Sequence, residues 1–493
     1  MPFGITYDIA CTLSRWSIYG FYRDIITVGY DNVPKEGPVI VCSTHYNMIV
    51  DPAVLASTFP HKRKLHFWAK NSLFANKILN AILTSGGVVP VDRKTKNNKA
   101  LFAATFEVLK LGEVVTVFPE GTSHSQSRLL EFKDGASWAV LEYASFVSDL
   151  EKSNGGRDDI DKKKSKFPEK AIVIPVGLTY VQKSKYRSLV IVAYGPPIHM
   201  ESYLEDFEID NRATVKRLTK HIETETEKLT INAPDWETSH AATIARQLIF
   251  SGDKHVPLED YVKITQSLIN FFANTISDEI LSLKNNLIQY KTSLDELRLS
   301  NADIARYENR SLTIPWATYT FLRELLKFVV QLPFFLPGLC FHWPIYLLGI
   351  ISAKYEIYEE SRAQNKIALG LSWLLIAYSA LFFFIWVTFF FTPLGFILAA
   401  SAVFIFAWYH IALVDSHYDK FKKLISSFRL LAALCSGKGS LPRDQVENLK
   451  EKRDLCLGSL KKIGKEYRSK SDDLRIVLEH CERAYIFEGK KLR

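Results

Sequence analysis

The chain has 493 residues, a formal net charge of +9 and six cysteines. This length exceeds that of one ordinary domain, and the basic balance favours an anionic partner such as a lipid surface or a phosphorylated molecule. The cysteines are scattered without a Cys-x2-Cys pair, which argues against a zinc site and against a disulfide framework. We therefore expect two or three domains, with the main soluble part in a reducing compartment.

Residues 1–27 are predicted to form an amphipathic helix at a membrane surface. Ile5, Ile9, Leu13 and Trp16 recur at helical spacing, and further aromatic and basic side chains lie close by in the sequence. That composition suits a helix at the level of the lipid headgroups. The alternative is a helix packed on the protein's own core.

Residues 28–200 alternate apolar runs with helical patterns, which predicts an α/β domain with a mostly parallel sheet. A helix is predicted over 98–111, with Gly112 as its stop signal. The lysine-rich stretch 151–169 is predicted to be a surface insertion. Strands are predicted at 38–42, 114–118, 171–176 and 189–194, with a further short strand before residue 93.

Residues 201–322 are predicted to be a helical region, because apolar side chains between 280 and 297 recur at intervals of three and four. A helical bundle is favoured over a coiled coil, since the pattern lasts only about two and a half heptads. The charged tail, 416–493, is also predicted to be helical.

Residues 323–415 are predicted to be the membrane region. Residues 367–391 and 394–414 contain no Asp, Glu, Lys or Arg, and each is long enough to span a bilayer. Residues 328–353 are also apolar, but three prolines interrupt them, which favours a re-entrant or interfacial hairpin over a third span. The basic tail favours a cytosolic side for itself and, if the hairpin holds, for the N-terminal part as well.

A histidine and an aspartate near the first predicted strand form a candidate acid–base pair. His45 follows that strand, and Asp51 comes six positions later. A histidine there can act as general base toward a hydroxyl, while the aspartate accepts its other ring N–H. The chain between them must be irregular, because positions six apart do not share a helix face. Taken alone, the pair also fits a capping aspartate beside an exposed histidine.

Two further segments predict anion binding. Glu120, Gly121 and Thr122 follow the strand predicted at 114–118, where the glycine lets the backbone approach a ligand and free N–H and hydroxyl groups can hold an anion. Arg93 ends another short predicted strand, and its guanidinium offers a two-pronged donor for phosphate.

In this order the segments resemble the glycerolipid acyltransferase family, which includes the glycerol-3-phosphate and lysophosphatidate acyltransferases. The resemblance covers residues 28–200, and the order of several blocks makes it specific where a single block would not. The blocks are 28–34, 45–51, 67–70, Arg93, 118–122, 132–136 and 173–176.

The resemblance implies that His45 is the general base and Asp51 its partner. The acceptor hydroxyl would then attack the thioester of acyl-CoA directly, with no acyl-enzyme intermediate. No metal ion and no resident cofactor are implied, because acyl-CoA is a cosubstrate.

The resemblance also implies a phosphate site and an acyl site. Arg93 and the turn of Glu120, Gly121 and Thr122 would hold the acceptor phosphate. Glu120 itself would orient Arg93 or hold the loop, since two negative groups repel. Lys70 and Lys133 would add positive charge, and Pro175 would shape the site near the acyl chain.

The sequence departs from the family pattern at two places. Most members have four residues between the histidine and the aspartate, whereas five intervene here; in this respect the chain resembles fungal-type glycerol-3-phosphate and dihydroxyacetone-phosphate acyltransferases. Many members have arginine where this chain has Ser123. Arg128 and His124 are the candidates to replace it, although an exposed loop histidine is the preferred interpretation of His124.

The leading hypothesis is acylation of glycerol-3-phosphate or dihydroxyacetone phosphate at sn-1, the first step of glycerolipid synthesis. The enzyme would be a multi-pass protein of the endoplasmic reticulum with a cytosolic catalytic domain. The alternatives are a lysophosphatidate or other lysophospholipid acyltransferase, and a non-catalytic membrane protein that binds lipid. A nucleic-acid binder is disfavoured, because the basic residues form no recognition helix.

Overall fold

The computed structural model describes residues 3–91, 98–153, 169–250, 256–275, 277–306, 313–436 and 441–487. The chain divides into two compact units. The first contains Met1–Ile231 together with Ser352–Ile367, and the second contains Asn232–Ile351 together with Ala368–Arg493. The first unit therefore extends beyond the predicted α/β domain at both ends and also takes in a short segment from far along the sequence.

A seven-stranded sheet forms the centre of the first unit, within the residues that the structure describes. Its order is β1-β7-β6-β2-β5-β3-β4, and only the β6–β7 pair is antiparallel. This confirms the predicted mostly parallel sheet. The strands are β1 Asp24–Val28, β2 Val39–Ser43, β3 Leu65–Lys70, β4 Val89–Val91, β5 Val114–Val117, β6 Ile172–Tyr180 and β7 Leu189–Tyr194.

Helices cover both faces of the sheet, which is why its central strands are mostly apolar. In β2, Ile40 and Cys42 contribute to one core and Val39 and Val41 to the other, as the alternation of strand side chains requires. The helices are α1 Ile5–Phe21, α2 Val50–Thr58, α3 Lys77–Ser85, α4 Asn98–Lys110, α5 Gly135–Ser153, α6 Glu201–Ile209 and α7 Asn211–Glu227.

Helix α1 combines features of both interpretations given for residues 1–27. Ile18 and Phe21 are buried in the core of the first unit, so one side of the helix packs on the protein itself. Ile5 and Trp16 are 77% and 64% exposed. The second side therefore keeps the apolar and aromatic character that suits a membrane surface.

The second unit is helical in its described residues. In α10, Ile280, Leu283, Leu287 and Tyr290 are all buried, so the predicted apolar spacing lies on the packed side of the helix. The helices that lie wholly or partly in this unit are α8 Trp236–Ile249, α9 Tyr261–Asn274, α10 Asp278–Glu296, α11 Asn301–Ala305, α12 Ile314–Tyr355, α13 Glu359–Thr388, α14 Pro393–Cys435, α15 Leu441–Tyr467 and α16 Asp472–Phe487.

Three helices in the described part of the chain, α12, α13 and α14, are long and apolar enough to cross a membrane. The predicted hairpin over 328–353 is wrong, because α12 continues unbroken through Pro333, Pro337 and Pro344. These prolines are four and seven residues apart, so the missing N–H donors lie along one side of the helix and the other side keeps its hydrogen bonds. The cytosolic placement of the N-terminal part rested on that hairpin and stays a prediction.

Candidate active site

The candidate site lies at the carboxyl ends of neighbouring parallel strands, where open α/β sheets place their ligands. His45 follows β2, Glu120 follows β5, and Tyr180 is the last residue of β6. Strand β2 pairs with both β5 and β6, so three segments that are distant in sequence meet at one edge.

His45 and Asp51 form the predicted pair. Nδ1 of His45 lies 2.8 Å from Oδ2 of Asp51, and the aspartate is fully buried in the first turn of α2. The chain between them is irregular, as expected: Met48 adopts a left-handed backbone with φ of 45°. The N–H of Val50 donates to the carbonyl of Asn47 at 2.9 Å, which closes the turn. This turn accommodates the additional residue.

Asp51 accepts two further hydrogen bonds. The N–H of Asn47 donates to Oδ2 at 2.7 Å, and the hydroxyl of Tyr180 donates to Oδ1 at 2.5 Å. Burial, together with the charge of Asp51, raises the pKa of Tyr180 well above its ordinary value, so this hydroxyl remains a donor at neutral pH. The three donors hold the carboxylate in a fixed orientation toward His45.

An aromatic stacking contact also restrains the face of the His45 ring. It stacks on Phe118, with ring centroids 4.3 Å apart and an interplanar angle of 20°. Because Nδ1–H of the neutral ring donates to Asp51, the proton-accepting nitrogen is Nε2. This arrangement suits a general base and contradicts the interpretation of Asp51 as a cap beside an exposed histidine.

Glu120 holds the loops of the site together. Its Oε1 accepts the backbone N–H of His45 at 2.7 Å, and its Oε2 accepts the N–H of Leu130 at 3.2 Å and contacts Nε2 of His124. The carboxylate is almost fully buried. Of the two roles considered for Glu120, the structure therefore displays the loop-holding one. Arg93, the other proposed partner, lies outside the described residues.

His124 is buried, so its interpretation as an exposed loop histidine is wrong. Besides contacting Glu120, the His124 ring accepts the backbone N–H of Gln126 on Nδ1 at 3.1 Å. The backbone N–H of His124 donates to the carbonyl of His45 at 3.3 Å. Both ring nitrogens are thus engaged within the protein. The residue supports the loop, whereas Arg128 is exposed.

Lys183 is a site residue that the sequence analysis did not identify. From the β6–β7 connection, its Nζ donates to the carbonyl of His124 at 2.9 Å and to Oγ of Ser125 at 3.1 Å. Burial lowers the pKa of Lys183, while nearby carboxylates, Asp51 first among them, oppose that shift. It ties the loop after β5 to the end of β6.

Lys133, one of the residues predicted to bind phosphate, lies against Gly121. This glycine has φ of 75°, and the side chain of Lys133 lies directly against it, so a side chain at this position would collide with the lysine. Thr122 is exposed beside it, and Lys70 is exposed at the end of β3. Lys70, Gly121 and Lys133 line the same cavity as His45.

Pro175 lies deeper in the sheet. It is buried in β6, opposite Cys42 of β2, and its carbonyl accepts the N–H of Gly195 at 2.8 Å. The described residues that line the cavity do not include it. A role for Pro175 in shaping the site remains a prediction.

A large apolar cavity of about 950 Å³ borders His45. Its wall is formed mainly by α1, α2, α3 and β3, and it includes Ala10, Ala56, Trp68, Leu79 and Leu83. A cavity of this volume and lining is typical of sites for apolar ligands. It therefore brings the candidate base, two lysines and a long apolar surface together.

Two family models match separate parts of the chain. Residues 24–178 match the model described as Acyltransferase, and residues 241–466 match the model described as Glycerol-3-phosphate acyltransferase 2 C-terminal domain. The first match contains the His45–Asp51 pair and the Glu120 loop. The second match covers most of the helices that follow the sheet, including the apolar helices α12, α13 and α14.

Curated relatives include Glycerol-3-phosphate O-acyltransferase 2 of Saccharomyces cerevisiae, which is 27% identical over 59% of this chain and 36% of its own length. Glycerol-3-phosphate O-acyltransferase 1 of the same yeast is 24% identical over 41% of this chain and 25% of its own. The chloroplastic 1-acyl-sn-glycerol-3-phosphate acyltransferase LPAT1 of Arabidopsis thaliana is 31% identical over 27% of this chain and 40% of its own. The chain thus matches only 25% to 40% of the length of these relatives.

One solved structure is also similar. The crystal structure of the 1-acyl-sn-glycerophosphate acyltransferase of Thermotoga maritima is 18% identical, with 45% of this chain and 79% of that chain covered. Its TM-score is 0.31.

Proposed function

We propose that this chain, whose residues 24–178 match the acyltransferase family model, transfers an acyl group from acyl-CoA to the sn-1 hydroxyl of glycerol-3-phosphate, or to the corresponding hydroxyl of dihydroxyacetone phosphate. One observation supports the proposal above all. His45, fixed by Asp51, lies in the wall of a large apolar cavity that also contains two lysines.

The geometry of the pair supports direct acyl transfer. Nε2 of His45 accepts the proton of the acceptor hydroxyl as the oxygen attacks the thioester carbonyl. The tetrahedral intermediate then expels the CoA thiolate, which takes the proton back from the imidazolium. The Asp51 carboxylate stabilises that imidazolium. The hydrogen bonds that Asp51 accepts from the N–H of Asn47 and the hydroxyl of Tyr180 keep the carboxylate in place.

The cavity suits an acyl chain. Each buried methylene contributes about 0.8 kcal/mol, so an apolar cavity beside the base both binds the donor and directs its carbonyl end toward His45. Exposed apolar side chains on α1 and α3, such as Trp16 and Ile78, favour a position at a membrane surface. The three apolar helices α12, α13 and α14 fit a membrane location as well.

A small phosphorylated acceptor is favoured by two observations. The longest matches among the named relatives are to proteins named glycerol-3-phosphate O-acyltransferase, and the second family model carries the same substrate in its description. Lys70 and Lys133 supply positive charge at the cavity. We propose the endoplasmic reticulum membrane as its location, with the catalytic unit facing the cytosol.

Acylation of lysophosphatidate is the second candidate, because LPAT1 is named for such a substrate and aligns with this chain at 31% identity. A lysophospholipid would have to place its own acyl chain in addition to that of the donor. The acceptors must therefore be supplied separately to the protein to distinguish the two candidate functions.

The test is acyl transfer in membranes that lack this activity. The full chain is expressed there and supplied with labelled acyl-CoA and either glycerol-3-phosphate, dihydroxyacetone phosphate or lysophosphatidate. We expect transfer to the first two, reduced at least about 1,000-fold by His45→Ala. His199→Ala, which changes an exposed histidine of the same unit, is the matched control and should keep full activity.

Each alternative has its own result in this assay. Transfer to lysophosphatidate alone would keep the mechanism and replace the acceptor. No transfer to any acceptor by folded, membrane-bound protein would overturn the enzymatic proposal and favour a lipid-binding role.

A further inference from the structure

The first turns of α13, as far as Ile367, belong to the first unit, although they lie some 300 residues after the catalytic pair in sequence. Glu360, Ala363, Gln364 and Ile367 recur at intervals of three and four, so they share one side of the helix. Ala363 is fully buried in the core that also contains residues of β2 and α2, and Ile367 packs against the same core. The helix then continues to Thr388 as a candidate membrane span.

Polar contacts from these turns reach three loops of the candidate site. Oε1 of Gln364 accepts the backbone N–H of Ile49 at 3.3 Å. Oε2 of Glu360 accepts the hydroxyl of Ser125 at 3.1 Å. Lys366 also donates through Nζ to the carbonyl of Ser184 at 2.8 Å.

The three contacted residues lie beside residues that build the site. Ile49 belongs to the turn between His45 and Asp51, immediately before α2. Ser125 follows His124 in the loop that Glu120 holds, and it also accepts a hydrogen bond from Lys183. Ser184 follows Lys183 in the β6–β7 connection. The first turns of one helix therefore contact one residue in each of three loops beside the catalytic pair.

Two features of the turn at Ile49 make support from outside it useful. The side chain of Ile49 is 66% exposed, so it adds little packing of its own. Met48, directly before it, has a left-handed backbone that side-chain-bearing residues adopt at an energetic cost. A hydrogen bond from outside the turn thus helps to hold a conformation that the turn alone would hold weakly.

We propose that Gln364 and Glu360 are positioning residues for the His45–Asp51 pair, so that the first turns of a membrane helix set the geometry of catalysis. The proposal rests on the proposed function, since it concerns the same site. Gln364 acts through the backbone at Ile49, and Glu360 acts through Ser125 on the loop held by Glu120.

The first test separates kcat from KM. Gln364→Ala and Glu360→Ala should lower kcat between about tenfold and a hundredfold, because a small misplacement of a general base costs that much, while the KM values change little. Gln364→Glu, which keeps an acceptor oxygen, should restore most of kcat. Asn365→Ala is the matched control, since the Asn365 amide donates to Glu356 at 2.5 Å within the same segment and touches no loop of the site through that bond.

The second test does not depend on activity. Amide hydrogen exchange of the peptide covering residues 45–51 should be faster in Gln364→Ala than in the wild type and in Asn365→Ala. Faster exchange only in the Gln364 variant would support the positioning contact even if the wild type transferred no acyl group, and that combination would overturn the proposed function alone.

Three results would overturn the proposal of positioning. These are unchanged kcat and exchange in both alanine variants, an equal loss of kcat in Asn365→Ala, and a failure of Gln364→Glu to restore kcat. The second result would mean that the segment supports only the fold, and the third would mean that the acceptor oxygen at position 364 has no part in the effect.

Discussion

The carboxylate of Glu120 accepts a hydrogen bond from the backbone N–H of His45 at 2.7 Å. This bond joins the loop after β5 to the loop after β2, so the candidate phosphate-binding turn and the candidate base share one support. A residue expected to contribute to phosphate binding is thereby part of the framework of the base itself.

Glu120→Gln should lower both activity and stability. The carboxylate accepts the N–H groups of His45 and Leu130, and a glutamine amide can accept only on its oxygen. Leaving a buried donor mispaired costs about 1–3 kcal/mol, and we expect kcat to fall about tenfold or more. Kinetics and thermal unfolding of the full chain measure the two effects. Glu131→Gln changes an exposed neighbour and should alter neither.

Lys133→Ala should weaken binding of the phosphorylated acceptor. The Lys133 side chain lies against Gly121 and lines the cavity, so its removal takes positive charge from the predicted phosphate site. We expect KM for glycerol-3-phosphate to rise about tenfold, with kcat and the KM for acyl-CoA nearly unchanged. Lys110→Ala, at a lysine on α4 that pairs with Glu107, is the control. Equal KM values for the two variants would remove Lys133 from the phosphate site.

Leu83→Trp should shift the donor preference toward shorter acyl chains. Leu83 lines the apolar cavity from α3, and a larger side chain there reduces the space for terminal methylenes, each of which contributes about 0.8 kcal/mol. The measurement is kcat/KM across a series of acyl-CoA lengths. Ile78→Trp introduces the same residue on the same helix, at a position that is 74% exposed and outside the lining. An unchanged length profile in Leu83→Trp would mean that the acyl chain lies elsewhere.

The contribution of buried tyrosines to the free energy of unfolding should be constant up to about pH 9 and fall above pH 10. Burial raises the pKa of Tyr22 and Tyr194 above the ordinary value of 10.0, and the same holds for Tyr180. A group whose pKa is higher in the folded state stabilises the fold below its unfolded pKa, and this stabilisation is lost as pH rises through the folded pKa. The loss approaches about 1.4 kcal/mol per pH unit for each such tyrosine.

Urea titrations of the full chain in detergent, read by hydrogen exchange of β2 and β6, measure this dependence. Tyr194→Phe should make the decline above pH 10 shallower, because one ionising group is gone. Tyr19→Phe changes an exposed side chain and should keep the wild-type slope. The same slope in both variants would contradict the assigned cause.

Most of the strands that the sequence revealed are buried on both faces. β2, β5 and β7 are continuous apolar runs, and each was predicted within about two residues. β1 and β3 were not predicted. β1 is an edge strand whose residues are only partly buried, and β3 contains His66, a polar side chain that is buried because it pairs with the distant Glu113 at 2.7 Å. The local sequence pattern shows neither the edge position of β1 nor the pairing of His66 with Glu113.

The site residues divide in the same way, into those visible in a local segment and those that depend on distant contacts. His45 and Asp51 follow from a short segment, and their bond was expected. Tyr180 and Lys183 were missed because their proximity to the pair depends on β6 pairing with β2, a contact between segments more than 100 residues apart. The only available signal was their position at the end of a strand that belongs to the same sheet.

The left-handed turn at Met48 bears on how such proteins can be recognised and how they diverge. Because β2 anchors His45 and α2 anchors Asp51, the bridge between them can gain a residue without separating the two side chains, which remain 2.8 Å apart. A fixed-length pattern that demands four intervening residues would therefore reject a chain in which the histidine and the aspartate are still hydrogen-bonded. Insertions are tolerated here as long as the ends of the turn stay attached to regular structure, so distance in space, rather than distance along the chain, defines the motif.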